Sequence, residues 1–529
     1  MARANTGETP TSSPTAEQST PTVLGVVDVG ASAIRLVIAQ VAPDSPPDIL
    51  EESSRAVLLG RDTFSTGRIG GATMEAAIRA LIGFRRLMDA YEVTKIRAIA
   101  TSAVREASNA ETFLDRVRIR SGLDVEVIDG SEESRLTYLA VRETLGRHPA
   151  LLADAALLVE VGGGSVDVAR LARGEPVQAG IYPLGSIRMA QRLGSWHGSH
   201  EQRVRLLSGQ IEKVVGDVVD EIPVAECSFV VALGGDMRFV AARVTGSDNG
   251  DLVEMPRDAF LAFVEDLVKC DDDQLAERFR LSPVAAETLG PSMLVYRALV
   301  QQTAATTIVV PDVSLRDGLL LDLGGTADDV TDFAPHVLAS AAALGARYRY
   351  DAGHAAAVAQ LAAQLFDVFA AEHALGRRDR LLLEVAALLH DIGQFISLRG
   401  HHKHSLYLLQ ASEIFGLSRD DMQVVGNIAR YHRRGMPQKS HPEFMRLDRD
   451  ERVRVTKLAA ILRLANALDA EHEQKVSSIA LQEQDGQWVL ELTGRGDLTM
   501  ERLAATSRAD MIVEVFGRPV EVRGAGAGT

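Results

Sequence analysis

"LLVEVGGGSVDVARL" occupies residues 157–171, and its reading decides the fold. An apolar run carrying one acid, Glu160, meets three glycines, Gly162, Gly163 and Gly164, followed by Ser165. A glycine-rich loop after a strand often opens a helix, as in dinucleotide and mononucleotide sites. Here the following residues alternate instead, with Val166 and Val168 on one side and Asp167 between them. Period-two alternation predicts a second strand. The segment therefore reads as strand, tight turn, strand, with bare backbone N–H groups available to converge on an anion.

The same pattern stands earlier, in "VVDVGASAIRLVIAQV" (residues 26–41). Asp28 takes the place of Glu160, Gly30 that of Gly162, Ser32 that of Gly164 and Arg35 that of Asp167. A duplicated element at domain-sized spacing predicts two similar lobes facing a cleft. Each would present one turn and one acid to a shared phosphate–metal group, and Mg²⁺ takes few carboxylates plus substrate oxygens. Three further segments fit such a cleft. Residues 96–117 read as a strand, a polar loop with Arg105, and a helix from near Asn109. Residues 123–145 read as a strand and a helix capped by Ser131, with Glu132 and Glu133 in its first turn. Residues 229–244 read as a strand, Gly234-Gly235, and a helix, a third candidate loop, for an anion or a nucleoside.

Bulk properties bound the class. At 529 residues the chain should hold two to four domains. Its two cysteines, Cys227 and Cys270, have no metal-ligand spacing, which fits a reducing cytoplasm. No apolar run is long enough for a membrane span, and residues 1–22 read as a disordered polar tail. A net charge of −16 argues against general nucleic-acid binding. A polyanion would have to be held by local arginines or a metal.

The segments named so far resemble, in order, the exopolyphosphatase/guanosine-pentaphosphate phosphatase family. The matching stretches are "DVGASAIRLVIAQV", "IATSAVREA", "VEVIDGSEESRLTYLAV", "VGGGSVDV", "YPLGSIRM", "LGGDMRFVAA" and "VSLRDGLLLDL", between about residues 23 and 325. The resemblance implies an α/β fold with two actin-like (ribonuclease H-like) lobes, residues 23–148 and 149–333. It implies that Glu133 orients the attacking water. It also implies that Glu160, with Asp28 and Asp167, holds Mg²⁺ or Mn²⁺. Phosphate would lie against Gly30, Ser32, Arg105, Gly162–Ser165, Gly234 and Gly235. The implied activity is hydrolysis of polyphosphate or of guanosine penta/tetraphosphate by a homodimer. A non-hydrolytic alarmone sensor is the alternative from another class. Three departures bear on it. The family's Gly-Ser-Asn-Ser is Gly30-Ala31-Ser32-Ala33 here, its Asp and Glu are exchanged in length at Glu160 and Asp167, and its Gly-Gly-Thr ends in Asp236.

From about residue 334 the chain turns Ala/Leu-rich and helical. His390-Asp391 at the end of an apolar helix resembles an HD-type domain over 334–475. His354 and Asp469 would complete its metal set, but Asn466 stands where an acid is usual, so the site reads as vestigial. His401, His402, Lys403, Arg430, His432, Arg433 and Arg434 read as a channel for a long polyanion. Residues 476–529 read as a small α/β cap.

Overall fold

The computed structural model describes residues 22–42, 47–152, 154–192, 198–247, 250–324, 333–433, 435–484 and 486–527. The first sheet contains β1 (Thr22–Val29), β2 (Ala33–Val41), β3 (Asp48–Ala56), β4 (Lys95–Ala100) and β5 (Val125–Val127). The second contains β6 (Ala155–Val161), β7 (Val166–Ala172), β8 (Glu175–Tyr182), β9 (Phe229–Leu233), β10 (Leu252–Pro256) and β11 (Thr307–Pro311). Their orders are β3-β2-β1-β4-β5 and β10-β11-β9-β6-β7-β8. In each, an antiparallel meander of three strands continues into parallel strands on its inner side. The duplication read from the sequence is thus a duplication of topology. Its register holds to the residue: Asp28 faces Arg35 across β1 and β2, and Glu160 faces Asp167 across β6 and β7.

The lobes exchange helices. The helix Gly130–Gly146 leaves the first sheet, yet Tyr138, Val141 and Leu145 share a core with Ala156, Leu158 and Ala169 of the second. Conversely, the helix Leu315–Gly324 returns from the second lobe, and its Leu315, Leu319 and Leu320 pack on Leu24, Val26 and Ile99 of the first. The boundary expected at 148/149 is therefore crossed both ways, because each sheet face needs an apolar helix that the other lobe supplies. The two helices cross closely: a Cβ on Gly318 would lie 1.8 Å from the carbonyl oxygen of Leu136. Ion pairs lock the crossing. Glu132 bonds Arg135 (2.7 Å) and Arg97 (3.0 Å), and Asp322 bonds Arg135 (2.7 Å) and also pairs with Arg97. The cap of the Gly130–Gly146 helix is Asp129, which accepts from the Glu132 N–H at 3.0 Å; Ser131, expected to cap it, lies inside the helix.

The second half is helical as expected. The helices Ala334–Arg347, Ala352–Val368, Arg377–Leu389, His401–Gln410, Arg419–Arg430 and Arg449–Ala467 pack together. They lead to a small sheet of β12 (Val476–Gln484), β13 (Gln487–Arg495) and β14 (Val520–Ala527), in that order, with two helices between its last strands. One continuous core joins Leu158, Val231 and Val309 of the second lobe to Val337 and Leu361 of the helical half and Leu490 of the small sheet. Among the described residues, no helix is long and apolar enough to cross a membrane.

Candidate active site between the lobes

The β1–β2 turn, the β6–β7 turn and the start of the helix Gly235–Thr245 enclose a cavity of about 270 Å³. Asp28, Gly30, Ser32, Glu133, Glu160, Gly162, Gly163, Gly164, Ser165, Gly234 and Gly235 are brought together and all line it. Arg35, Ser102, Ser186, Asp236, Arg238 and Arg316 also line it. Those six lie inside the segments singled out above. Arg35 was marked by its match to Asp167 in the duplicated pattern and Asp236 by its departure from the family's Gly-Gly-Thr, whereas Ser102, Ser186, Arg238 and Arg316 were marked only by proximity to a turn.

The turns supply donors. Gly30 N–H and Gly162 N–H close their own hairpins on Ala33 O (3.1 Å) and Ser165 O (2.9 Å). The N–H groups of Ala31, Ser32, Gly163, Gly164 and Ser165 have no acceptor among the described residues. None of Gly162, Gly163 and Gly164 has positive φ, so their conformational freedom is not what the turn uses. Their bareness is. A Cβ on Gly163 would lie 2.8 Å from Ala31 Cβ, and one on Gly164 would lie 2.3 Å from Ser102 Oγ. A Cβ on Gly185 would lie closer still, 2.2 Å from the Gly164 carbonyl carbon. The glycines let the two lobes' turns approach each other. Gly234 is different: at φ 96° it needs glycine, and it leads into the first turn of a helix whose N–H groups and dipole favour anions.

Four acids, Asp28, Glu133, Glu160 and Asp236, line the cavity. Asp28 is held between Arg35 (3.5 Å) and Arg316 (3.8 Å), yet burial still raises its carboxyl. Glu160 accepts from Thr137 Oγ1 at 3.0 Å; burial raises it as well. Glu133 has Arg105 at 3.5 Å and an Oε2 that is buried without a hydrogen bond. Burial, together with Glu160 and Asp28 and against Arg105, pushes Glu133 up to about 7. Its neighbour Glu132 goes the other way: burial works to raise it, but Arg135 and Arg97 outweigh this and hold it low. Asp167 accepts from Ser134 Oγ at 3.1 Å and does not line the cavity. Arg105 does not line it either; its Nη1 donates to Ile128 O at 2.7 Å. Asp236 adds an acid to the phosphate path, and burial raises its carboxyl.

The helical half is arranged otherwise than its sequence suggested. Among the described residues, none of those read as a polyanion channel lines the inter-lobe cavity. Lys403 and Arg433 are exposed, while His401 and His432 are buried and turn to Asp391. His402 is half-buried, and burial with Arg430 nearby lowers it to about 4. Arg434 lies outside the described residues. His354 bonds Asp469 through Nδ1 (2.8 Å) and Asn466 through Nε2 (3.0 Å). Asp469 thus supports His354 from behind, and His390, Asp391, His401 and His432 form one buried group with it.

The family model described as Ppx/GppA phosphatase family matches residues 37–326, and that of Ppx/GppA phosphatase, domain III, matches residues 338–507. Exopolyphosphatase 1 of Mycobacterium leprae is 26 % identical over 307 residues, covering 56 % of this chain and 88 % of that protein. Exopolyphosphatase 1 of Mycobacterium tuberculosis is 28 % identical over 307 residues, covering 56 % and 87 %. A solved exopolyphosphatase from Cytophaga hutchinsonii superposes with a TM-score of 0.52 at 21 % identity, covering 58 % of this chain and 99 % of that one. An exopolyphosphatase-like protein superposes at 0.51 and 22 %, covering 57 % and 97 %. With both halves matched in order over a duplicated core of two sheets, the chain belongs to the Ppx/GppA phosphatase family.

Proposed function

We propose that the chain is an exopolyphosphatase, a hydrolase that removes the terminal phosphoryl group of inorganic polyphosphate. The observation that carries this reading is the pairing of free backbone donors on two facing turns with the Glu133 carboxylate, which has Arg105 at 3.5 Å and a buried Oε2 without a hydrogen bond. Donors aimed at a phosphoryl group stabilise charge that develops on its oxygens. A carboxylate pushed up to about 7 is matched to accepting a proton near neutral pH. In the step itself, Glu133 takes a proton from water and the water oxygen bonds to the terminal phosphorus. The bond to the bridging oxygen breaks, leaving the shortened chain as an oxyanion beside Arg238 or Arg316.

Asp28 and Glu160 fit a divalent cation: both are buried carboxylates on the cavity wall, one from each lobe. Mg²⁺ or Mn²⁺ bound there would neutralise phosphate charge. Asp167, bonded to Ser134 behind the wall, is left out of that set. We read the helical half as an HD-type domain from His390-Asp391 at the end of its helix beside His354.

The lining favours polyphosphate over guanosine pentaphosphate, because among the described residues none that lines the cavity is aromatic, so a nucleobase has no ring there to stack on. The test is phosphate release from polyphosphate and from guanosine pentaphosphate, with Mg²⁺ and with chelator. Polyphosphate should be the better substrate and chelator should stop the reaction. A preference for the nucleotide would overturn the assignment of substrate.

A further inference from the structure

Residues 186–188, within the stretch "YPLGSIRM", hold the triple-glycine turn from behind. Ser186 N–H donates to Gly162 O at 2.9 Å, and the N–H groups of Ile187 and Arg188 both donate to Gly163 O at 3.0 Å. The third carbonyl, Gly164 O, accepts from the side chain of Arg188, whose Nε lies at 2.6 Å. In a planar trans peptide the C=O of one residue and the N–H of the next point in opposite directions. Anchoring the three carbonyls therefore turns the N–H groups of Gly163, Gly164 and Ser165 the other way. Those are the groups left without an acceptor among the described residues.

The three anchors are not equivalent. Main-chain N–H groups hold the first two carbonyls, and of the three peptides the Gly164–Ser165 one depends on a side chain. A peptide that follows glycine reverses easily, because glycine takes either sign of φ. Reversed, it would aim an oxygen where the donor stands. Arg188 is itself held by the other lobe. Its guanidinium carbon lies 4.2 Å from the ring centre of Phe64, and its Nη2 donates to Glu106 Oε1 at 2.5 Å. Phe64 belongs to the helix Leu59–Thr66 and Glu106 follows Ser102–Arg105, both in the first lobe. The Arg188 side chain is 16 % exposed and does not line the cavity, so it acts on the turn and not on a bound phosphate.

We propose that Arg188 is a positioning residue for phosphoryl transfer. Seated on Phe64 and Glu106 of one lobe, it fixes the Gly164–Ser165 peptide of the other so that Ser165 N–H faces the terminal phosphoryl group. The set of donors is complete only while the two lobes are together. This role rests on the exopolyphosphatase reading of the same site. Lysine in its place would carry the charge. A single ammonium lacks both the fork that serves Gly164 O and Glu106 at once and the plane that stacks on Phe64.

The experiment uses the full chain with Mg²⁺ and reads steady-state hydrolysis of polyphosphate beside calorimetric binding of orthovanadate, whose five-coordinate form resembles the transferring phosphoryl group. Arg188→Met and Arg188→Lys should each lower kcat by about 10–100-fold and leave KM within about threefold, because a misaimed donor matters most where charge develops. Orthovanadate should bind weaker by the same factor as kcat falls. Glu106→Gln should lower kcat about threefold in wild type and have no further effect in Arg188→Met, since the two act as one unit. Thermal melts establish that each variant is folded; if Arg188→Met is not, Arg188→Lys and Glu106→Gln decide. Wild-type kcat in a folded Arg188→Met, full rescue by lysine, a loss confined to KM, or additive effects at 106 and 188 would overturn the proposal. Should wild type release no phosphate from polyphosphate, the exopolyphosphatase reading falls and orthovanadate alone decides the role of Arg188. Weaker binding in both variants upholds it, whereas binding equal to wild type, or none to wild type, overturns it.

Discussion

Replacing Glu133 with glutamine should abolish most activity while making the protein more stable, and the gain should depend on pH. Burial pushes the Glu133 carboxyl from 4.5 up to about 7. Each tenfold change in an acid constant corresponds to ~1.4 kcal/mol, so keeping the carboxyl ionised in the fold costs at most about 3 kcal/mol. The sign follows from the raised value. Below about pH 4.5 the group is protonated in both folded and unfolded chains and costs nothing. As pH rises through the folded value near 7, the unfolded chain has already ionised, and wild type loses stability relative to the variant. Glutamine keeps the shape and removes the charge. It leaves Arg105 without its carboxylate, although Arg105 still donates to Ile128 O at 2.7 Å. The expected net gain is about 1–2 kcal/mol above pH 7, or a few degrees in Tm, shrinking to nothing near pH 4.5. Phosphate release should fall by about 10²-fold or more. Thermal melts across pH with chelator present, beside a phosphate-release assay, read both quantities. A stability difference that does not change with pH would refute the burial argument, and unchanged hydrolysis would remove Glu133 from the chemistry.

Glu132→Gln should do the reverse of its neighbour: it breaks a network of Arg97, Arg135 and Asp322, so melts should show a loss of about 1–3 kcal/mol near neutral pH that fades as the pH falls and wild-type Glu132 itself is protonated. Gly164→Ala drives a Cβ to 2.3 Å from Ser102 Oγ and 2.5 Å from Phe64; overpacking of this kind costs about 1–3 kcal/mol, and forcing the turns apart should lower phosphate release more than it lowers Tm. Mg²⁺ should raise Tm, and more so at higher pH, because Asp28 and Glu160 must shed protons that burial favours; a pH-independent rise would place the ion elsewhere. A chain ending at Leu323 should aggregate on size-exclusion chromatography, since the core shared by Leu158, Val231 and Val337 would be cut open.

The hairpin duplication was legible in the sequence because a period-two pattern and a turn are local; the register that sets Asp28 opposite Arg35 and Glu160 opposite Asp167 is what the structure adds. What depends on distant contacts was not legible. Adjacent helical residues point about 100° apart, so Glu132 and Glu133 part company, but which of them faces the cleft is set by Arg97 and Asp322, far away in sequence. The exchange of helices between lobes left no local mark. The glycines of the triple turn were visible, but not the reason for them, which lies in Ala31 and Ser102. His401 and Lys403 read alike as basic residues, and only packing separates a buried imidazole on Asp391 from an exposed ammonium.

The central claim is that water attacks the terminal phosphoryl group of a polyphosphate chain seated between the lobes. It is tested most directly by giving the full chain, with Mg²⁺, a long polyphosphate with free ends and the same polymer with both ends blocked as esters. Steady release of orthophosphate from the free-ended chain alone, abolished in Glu133→Gln, is the predicted result. Equal release from both polymers, or none from either, would contradict it.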